Sequence, residues 1–323
     1  MVGRNNRNNA HCGSHIFRRG FFAAALLLLA AALAGCTGQD GPGYAPRYSQ
    51  RPPAQSGVYI FGPHPLMNPQ KLAEVYGALL DKLNRKLEPE HIRLILEASL
   101  NYAAFNEKLI RRRLHFALPN PYQTVLAQEH GYVIFGKMSR DSDFRGIILL
   151  RKTTRAAKVT DLAGARVSFP APTALAATLL PQLYFKEHGL DPQTGIAASF
   201  VGTHDSAMLN VCLGVSDAAC TWPIAWRNFQ RERPDQAQRI EVRWSTPTLP
   251  NNGLVALSSV PRPVRDKVAQ ALFSLGEDAQ GRRLLAQAGV ERFEPADNAT
   301  YAPVYDFINR YNRAVRQLKG LNE

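Results

Sequence analysis

Much of what would announce an enzyme is missing from the 323 residues. There is no Walker loop, no Gly-x-Gly-x-x-Gly fingerprint, no His-Glu-x-x-His pair and no Gly-x-Ser-x-Gly elbow. Phosphate-loop, dinucleotide, zincin and α/β-hydrolase chemistry therefore lack their usual sequence support. Cysteine is scarce, with four in the chain: Cys12, Cys36, Cys212 and Cys220. None has a Cys or His partner at zinc spacing, so we expect no metal site. No block of Lys and Arg interleaved with aromatics occurs beyond Arg111-Arg112-Arg113, which argues against nucleic acid as a partner. No internal repeat is visible.

What is present begins with the leader. Arg18 and Arg19 precede an apolar run from Phe21 to Leu33, followed by Ala34-Gly35-Cys36. A positive segment, a short apolar segment and small residues before a cleavage point describe a secretory signal peptide. The run is too short for an ordinary membrane span of about 20 residues. Leu33-Ala34-Gly35-Cys36 looks like a bacterial lipobox, in which the Cys36 thiol is lipidated and becomes the mature N-terminus; an ordinary signal peptide with an incidental cysteine is the alternative. Residues 1–36 are read as this signal. Residues 37–56, with Gly41-Pro42-Gly43 and Arg51-Pro52-Pro53, read as a flexible linker. The expectation is a periplasmic or cell-surface protein tethered to a membrane through attached acyl chains rather than spanning it.

The formal net charge is +13, and the four arginines of residues 1–35 face no acidic residue there, which leaves +9 for the remainder. A basic surface favours anionic ligands or lipid head groups but says nothing of fold. Cys212 and Cys220 stand in a compartment that permits a disulfide, and they could pair.

From Val58 onward, strands and helices alternate. Strands are expected at Val58–Phe61, Ile92–Leu96, His115–Leu118, Tyr132–Phe135 and Gly146–Arg151, then at Arg166–Phe169, Ser199–Val201, Ala218–Cys220 and Ile240–Trp244. Between them fall helices, the clearest capped by Asn68 with Pro69 at its first position and striped by Leu72, Val75, Tyr76, Leu79, Leu80, Leu83 and Leu87. Such alternation implies α/β layers with mainly parallel sheets. The length suits two lobes better than one core.

Several strand-to-helix turns could hold a ligand. Phe169 to Thr178 is a strand, a stiff turn and a helix start around Thr173, Ala174 and Leu175, where free N–H groups and the helix dipole make an anion site; Thr173 could equally be only an N-cap. In Gly202-Thr203-His204-Asp205-Ser206, His204 could donate to an anion, while Asp205 or Ser206 caps the helix. Three successive residues cannot face one another as a catalytic triad does. Tyr102 and Tyr122 follow strand ends, where ligands bind in open α/β sheets, and each could instead be a packing residue.

Taken together, Phe61-Gly62-x-x-Pro65-x-x-Asn68-Pro69, Asn101-Tyr102, Phe116–Tyr122, Phe144-Arg145-Gly146, Phe169–Pro181 and Gly202–Ser206 resemble the substrate-binding components of phosphate, phosphite and phosphonate ABC transporters, from about Val58 to Tyr311. The resemblance implies a two-lobed type II periplasmic-binding fold with a two-strand hinge and a ligand cleft. It places residues 57–150 and 246–320 in the N-terminal lobe and 151–245 in the second. It also implies an oxyanion on the turn Thr173 to Ala177, enclosed by His204 and Tyr102. Two departures stand out. The hydroxyl-rich turn of phosphonate binders is replaced by Ala174, Leu175 and Ala176. The carboxylates that hold an aminoalkyl ammonium are replaced by Ile224 and Asn252.

The leading expectation is thus a monomeric, lipid-anchored solute-binding protein without a cofactor, which captures a small oxyanion for an ABC permease. Its ligand residues would be Tyr102, Tyr122, Thr173, Ala174, Leu175, His204 and Asp205, with Trp222 as a further aromatic wall. A ligand-sensing subunit for a membrane signalling partner is the alternative on the same fold. An exported hydrolase using His204 and Asp205 has only their presence in one loop behind it.

Overall fold

The computed structural model describes residues 57–318, so the signal segment, Cys36 and the linker lie outside the described residues. β1 (Gly57–Pro63) runs parallel to β2 (Ile92–Leu96) and β3 (Phe116–Leu118). β4 (Tyr132–Met138), β10 (Gly253–Leu257) and β11 (Phe293–Glu294) complete a first sheet of order β11-β4-β10-β3-β1-β2, with β10 antiparallel to both neighbours. The second sheet joins β5 (Arg145–Arg151), β6 (Arg166–Phe169), β7 (Ala197–Phe200), β8 (Ala218–Thr221) and β9 (Ile240–Thr248) in the order β7-β6-β8-β5-β9. The strand connections cross between the sheets at residues 139–144 and 249–252. These are the two lobes and the two-strand hinge expected from the sequence. β5, assigned above to the first lobe's segment, pairs in the second sheet with β8 and β9. β10 and β11 are strands the sequence does not announce, because one is a short apolar run without alternation and the other spans two residues.

Three asparagine caps order the first lobe. Asn68 accepts from Lys71 N at 2.9 Å and starts α1 (Pro69–Leu87), whose stripe from Leu72 to Leu87 is buried. Each leucine so buried contributes about 1.5–3 kcal/mol. Asn101 accepts from Ala104 N at 2.9 Å and starts α2 (Tyr102–Ile110). Asn120 forms a reciprocal capping box with Gln123 and starts α3 (Pro121–Glu129). Because β1, β2 and β3 are parallel, the three helix starts gather at one end of the sheet.

In the second lobe the expected helix at Thr173 begins later and differently. Leu175–Leu179 form a π-helical turn, with Thr178 N and Leu179 N both reaching Ala174 O at 2.7 and 3.3 Å, and this runs directly into α4 (Leu180–Glu187). Pro181 has no N–H for the carbonyl of Ala177, so the regular ladder cannot close there and the turn widens. Gly146 on β5 touches the same turn: a Cβ at that position would stand 2.6 Å from Ala176 O.

α5 (His204–Cys212) follows β7, and α6 (Pro223–Glu232) follows β8. The cap of α5 is Thr203, not Asp205 or Ser206. Thr203 has the extended backbone that a cap requires, and its hydroxyl oxygen accepts from Ser206 N at 3.0 Å. Asp205 falls instead in the first turn, where a carboxylate favours the dipole. Cys212 and Cys220 are free thiols rather than a disulfide. Cys212 donates its thiol to Gln236 O at 3.4 Å, while Cys220 is buried in β8.

The chain ends with α7 (Pro234–Ala237), α8 (Arg262–Phe273), α9 (Ala279–Gln287) and α10 (Ala302–Ala314). α10 lies on α4 of the other lobe: Tyr311 donates its hydroxyl to Gln182 Oε1, and Arg310 pairs with Glu187 at 2.7 Å. Among the described residues no helix is long and apolar enough to cross a membrane.

Candidate functional site

A small chamber lies where the two lobes meet, with room for about 10 Å³, roughly one water molecule. The first lobe supplies His64 from the end of β1, Tyr102 from the start of α2, Asn120 from the cap of α3, and Asn252 from the crossing before β10. Phe144 enters from the other crossing. The second lobe supplies the turn Ala174–Ala177, His204 from the start of α5, and Trp222 from the residue before α6.

The two histidines differ in their partners. His204 Nδ1 lies 2.9 Å from Thr221 Oγ1, and its Nε2 lies 3.5 Å from the Tyr102 hydroxyl across the lobe boundary. His64 Nδ1 lies 3.3 Å from Leu118 O and 3.5 Å from Asn252 Nδ2. Burial pushes the His64 imidazole down to about 4. Burial, helped by the charge of His64, pushes His204 down to about 3. Both rings are therefore neutral at ordinary pH. Burial also raises the Tyr102 phenol well above its ordinary value.

Two polar atoms in the walls have no hydrogen-bond partner among the described residues: Trp222 Nε1 and Asn252 Oδ1. Both side chains are almost wholly buried, at 2% and 0% exposure, so each lost bond costs about 1–3 kcal/mol. An indole N–H only donates and an amide oxygen only accepts. The N–H groups of Leu175, Ala176 and Ala177 precede the first intrahelical bond of their turn and add donors. Among the described residues, no Lys, Arg, Asp or Glu lines the chamber. Such a site can hold a small group that both accepts and donates hydrogen bonds, with the apolar surface of Phe144 and Leu175 against its remainder.

Outside the chamber an open groove of about 720 Å³ runs between the lobes, with Lys71, Glu74, Arg231 and Arg233 on its walls. His204 contributes to both spaces.

Of the residues singled out from the sequence, Tyr102, Ala174, Leu175 and His204 come together in the chamber, as does Trp222. Asp205 faces the outer groove, 3.7 Å from Arg233 Nε, and burial raises its carboxyl despite that neighbour. Thr173 stands just outside, its carbonyl accepting from Asn120 Nδ2 at 3.4 Å. Tyr122 packs in the first lobe's core at 1% exposure, and burial pushes its phenol up to about 12. His64 and Asn120 were not picked out as site residues. Their signal is position: His64 sits in Gly62-Pro63-His64-Pro65 at a strand end, and Asn120 stands two residues before Tyr122.

Residues 61–301 match the family described as ABC transporter, phosphonate, periplasmic substrate-binding protein. No curated protein matches the chain. Among solved structures, a binding-protein component of an ABC phosphonate transporter from Pseudomonas aeruginosa is similar at TM-score 0.73 and 16% identity, covering 80% of this chain and 88% of that one. A Prochlorococcus marinus protein solved with methylphosphonate gives TM-score 0.71 and 17% identity, over 79% of this chain and 98% of that one. The periplasmic aliphatic sulphonate binding protein of Escherichia coli gives TM-score 0.53 and 14% identity, over 80% and 88%.

Proposed function

The chain belongs to the family of phosphonate periplasmic substrate-binding proteins of ABC transporters, and from that premise we propose that it captures a small phosphonate in the chamber between its lobes and hands it to a membrane permease. The observation that carries this reading is the pair of buried, unpartnered polar atoms, Trp222 Nε1 and Asn252 Oδ1, in walls contributed by both lobes. Ligand polar groups would complete both. With room for only about one water in this conformation, the chamber admits a phosphonate only when the lobes stand further apart, and they would close onto it less tightly than they meet here. Tyr102 and His204, one from each lobe, then meet over the ligand.

The ligand residues of this proposal are Tyr102, His204, Trp222, Asn252 and the N–H groups of Leu175 to Ala177, with His64 and Asn120 behind them. The small-residue turn and the missing carboxylates disfavour an aminoalkylphosphonate. Lipidation at Cys36 completes the proposal, holding the protein at the membrane that carries its permease.

Thermal unfolding against phosphate, phosphite, methylphosphonate and aminoethylphosphonate tests the reading. A ligand that binds only the folded state raises Tm in a saturable way, and the expectation is a rise with a small phosphonate or phosphite. No shift with any of them removes oxyanion capture. Co-purification of a permease supports transport; co-purification of a membrane kinase instead favours a sensing subunit of the same fold.

A further inference from the structure

We infer that Arg227 is a positioning residue for ligand capture: its bidentate ion pair with Asp143 fixes where Trp222 presents its indole N–H to the chamber. The inference rests on the phosphonate-capture reading and adds to it two residues that do not line the chamber.

The pair joins two segments that each place one wall of the chamber. Asp143 ends the short turn Asp141–Asp143 in the first crossing, and the next residue is Phe144. Arg227 lies on α6, in the second turn after Trp222. Trp222 is bound into that helix, since its carbonyl accepts from Trp226 N at 3.0 Å. Arg227 Nη1 donates to Asp143 Oδ1 at 3.0 Å, and Nη2 donates to Oδ2 at 2.9 Å. One residue further along the crossing, the Phe144 ring meets the Trp222 ring edge to face at a centroid distance of 5.8 Å. The crossing and α6 are thus joined twice, by a charged fork outside and by a ring contact at the chamber wall. A planar guanidinium on a carboxylate sets direction as well as distance.

Asp143 is a firm anchor for this purpose. Its side chain is only 15% exposed, and Arg140 Nε stands 3.8 Å from its Oδ2 while Arg140 Nη1 reaches Glu291 of the first lobe at 3.0 Å. Asp141, in the same turn, accepts from Lys137 Nζ at 2.7 Å and from Asn251 N at 2.9 Å, which ties the turn to β4 and to the second crossing. The start of α6 also lies close against the first lobe, where a Cβ at Gly289 would stand 2.3 Å from Ile224 Cγ2. An isolated pair of exposed charges contributes little, but here one carboxylate is shared by two guanidinium groups in an anchored turn. Hydrogen bonds weaken steeply off line. A small tilt of α6 would therefore cost the indole its bond to a ligand without unfolding the lobe.

A double-mutant cycle with methylphosphonate, read by calorimetric titration of the full chain, tests this. Arg227→Met keeps an apolar stem and removes the fork. It should weaken binding roughly threefold to tenfold in the otherwise unaltered chain. In Trp222→Phe, which has no indole N–H to position, the same change should weaken binding by less than about twofold, whereas a general loosening of the lobe would act equally in both. A second measurement needs no ligand. With Trp226→Phe and Trp244→Phe, Trp222 is left as the one tryptophan of the original three. Its emission should be that of a buried indole, and adding Arg227→Met should shift it to longer wavelength and raise its quenching by acrylamide. Equal weakening in both backgrounds, no weakening in either, or Trp222 emission indifferent to Arg227 overturns the inference and leaves capture standing. Failure of the unaltered chain to bind any phosphonate or phosphite overturns the capture reading, and the emission measurement then still decides whether Arg227 positions Trp222.

Discussion

The hydroxyl of Tyr102 and Nε2 of His204 stand 3.5 Å apart, one at the start of a helix on the first sheet and the other at the start of a helix on the second. Tyr102 belongs to the first lobe and His204 to the second, so the contact spans the boundary between them. It is at once a wall of the chamber and a clasp between its halves.

Tyr102→Phe keeps the ring and removes the clasp. Loss of one neutral hydrogen bond costs about 0.5–1.5 kcal/mol, so ligand affinity should fall roughly threefold to tenfold. The melting temperature without ligand should barely move. Isothermal titration beside thermal unfolding separates the two effects.

The buried histidines should make the protein acid-sensitive. In the unfolded chain each takes a proton near 6.5, whereas in the fold His64 waits until about 4 and His204 until about 3. Below pH 6.5 the unfolded state therefore binds protons that the folded state refuses. The stability this neutrality contributes is complete above pH 6.5 and is lost as pH falls, through about 4 for His64 and about 3 for His204. For His64 alone the loss is on the order of 3 kcal/mol. Urea unfolding at a series of pH values should show this slope, and His204→Gln should flatten it. An unchanged slope in that variant would count against the placement of His204.

Gly146→Ala places a methyl group 2.6 Å from the Ala176 carbonyl oxygen. β5 and the π-helical turn must then move apart, at a cost of about 1–3 kcal/mol. Because that turn carries the amide donors of the chamber, phosphonate affinity should drop with the stability. Chemical denaturation and titration of the same variant check both.

Asn120 and Tyr122 are two residues apart and face different surroundings. Asn120 caps α3, lines the chamber and reaches Thr173 O across the lobes at 3.4 Å. Tyr122 is packed in the core. Asn120→Ala should cost about 1 kcal/mol of stability through the lost cap, and should also weaken ligand binding. Tyr122→Phe should change stability alone.

Much of the scaffold was legible because its signals are local. Asn68 precedes the helix that it caps, and the stripe from Leu72 to Leu87 announces a buried face. The strand Arg166–Phe169 was read at its observed bounds. What escaped depended on distant partners. β10 is a short apolar run that becomes a strand only between β3 and β4. The π-helical turn follows from Pro181 and from the approach of Gly146, neither of which can be weighed from a local propensity. In the site, Tyr102 and His204 were named from helix starts. His64 was passed over because its role depends on Asn252, which lies far along the chain and enters through the second crossing.

The central claim is that a small phosphonate completes the two unpartnered atoms of the chamber. Calorimetric titration of the full chain and of Trp222→Phe with methylphosphonate tests it most directly. The account predicts saturable binding of one ligand per chain, weakened at least tenfold when the indole N–H is removed. Binding of equal strength in both proteins, or no heat in either, would contradict it.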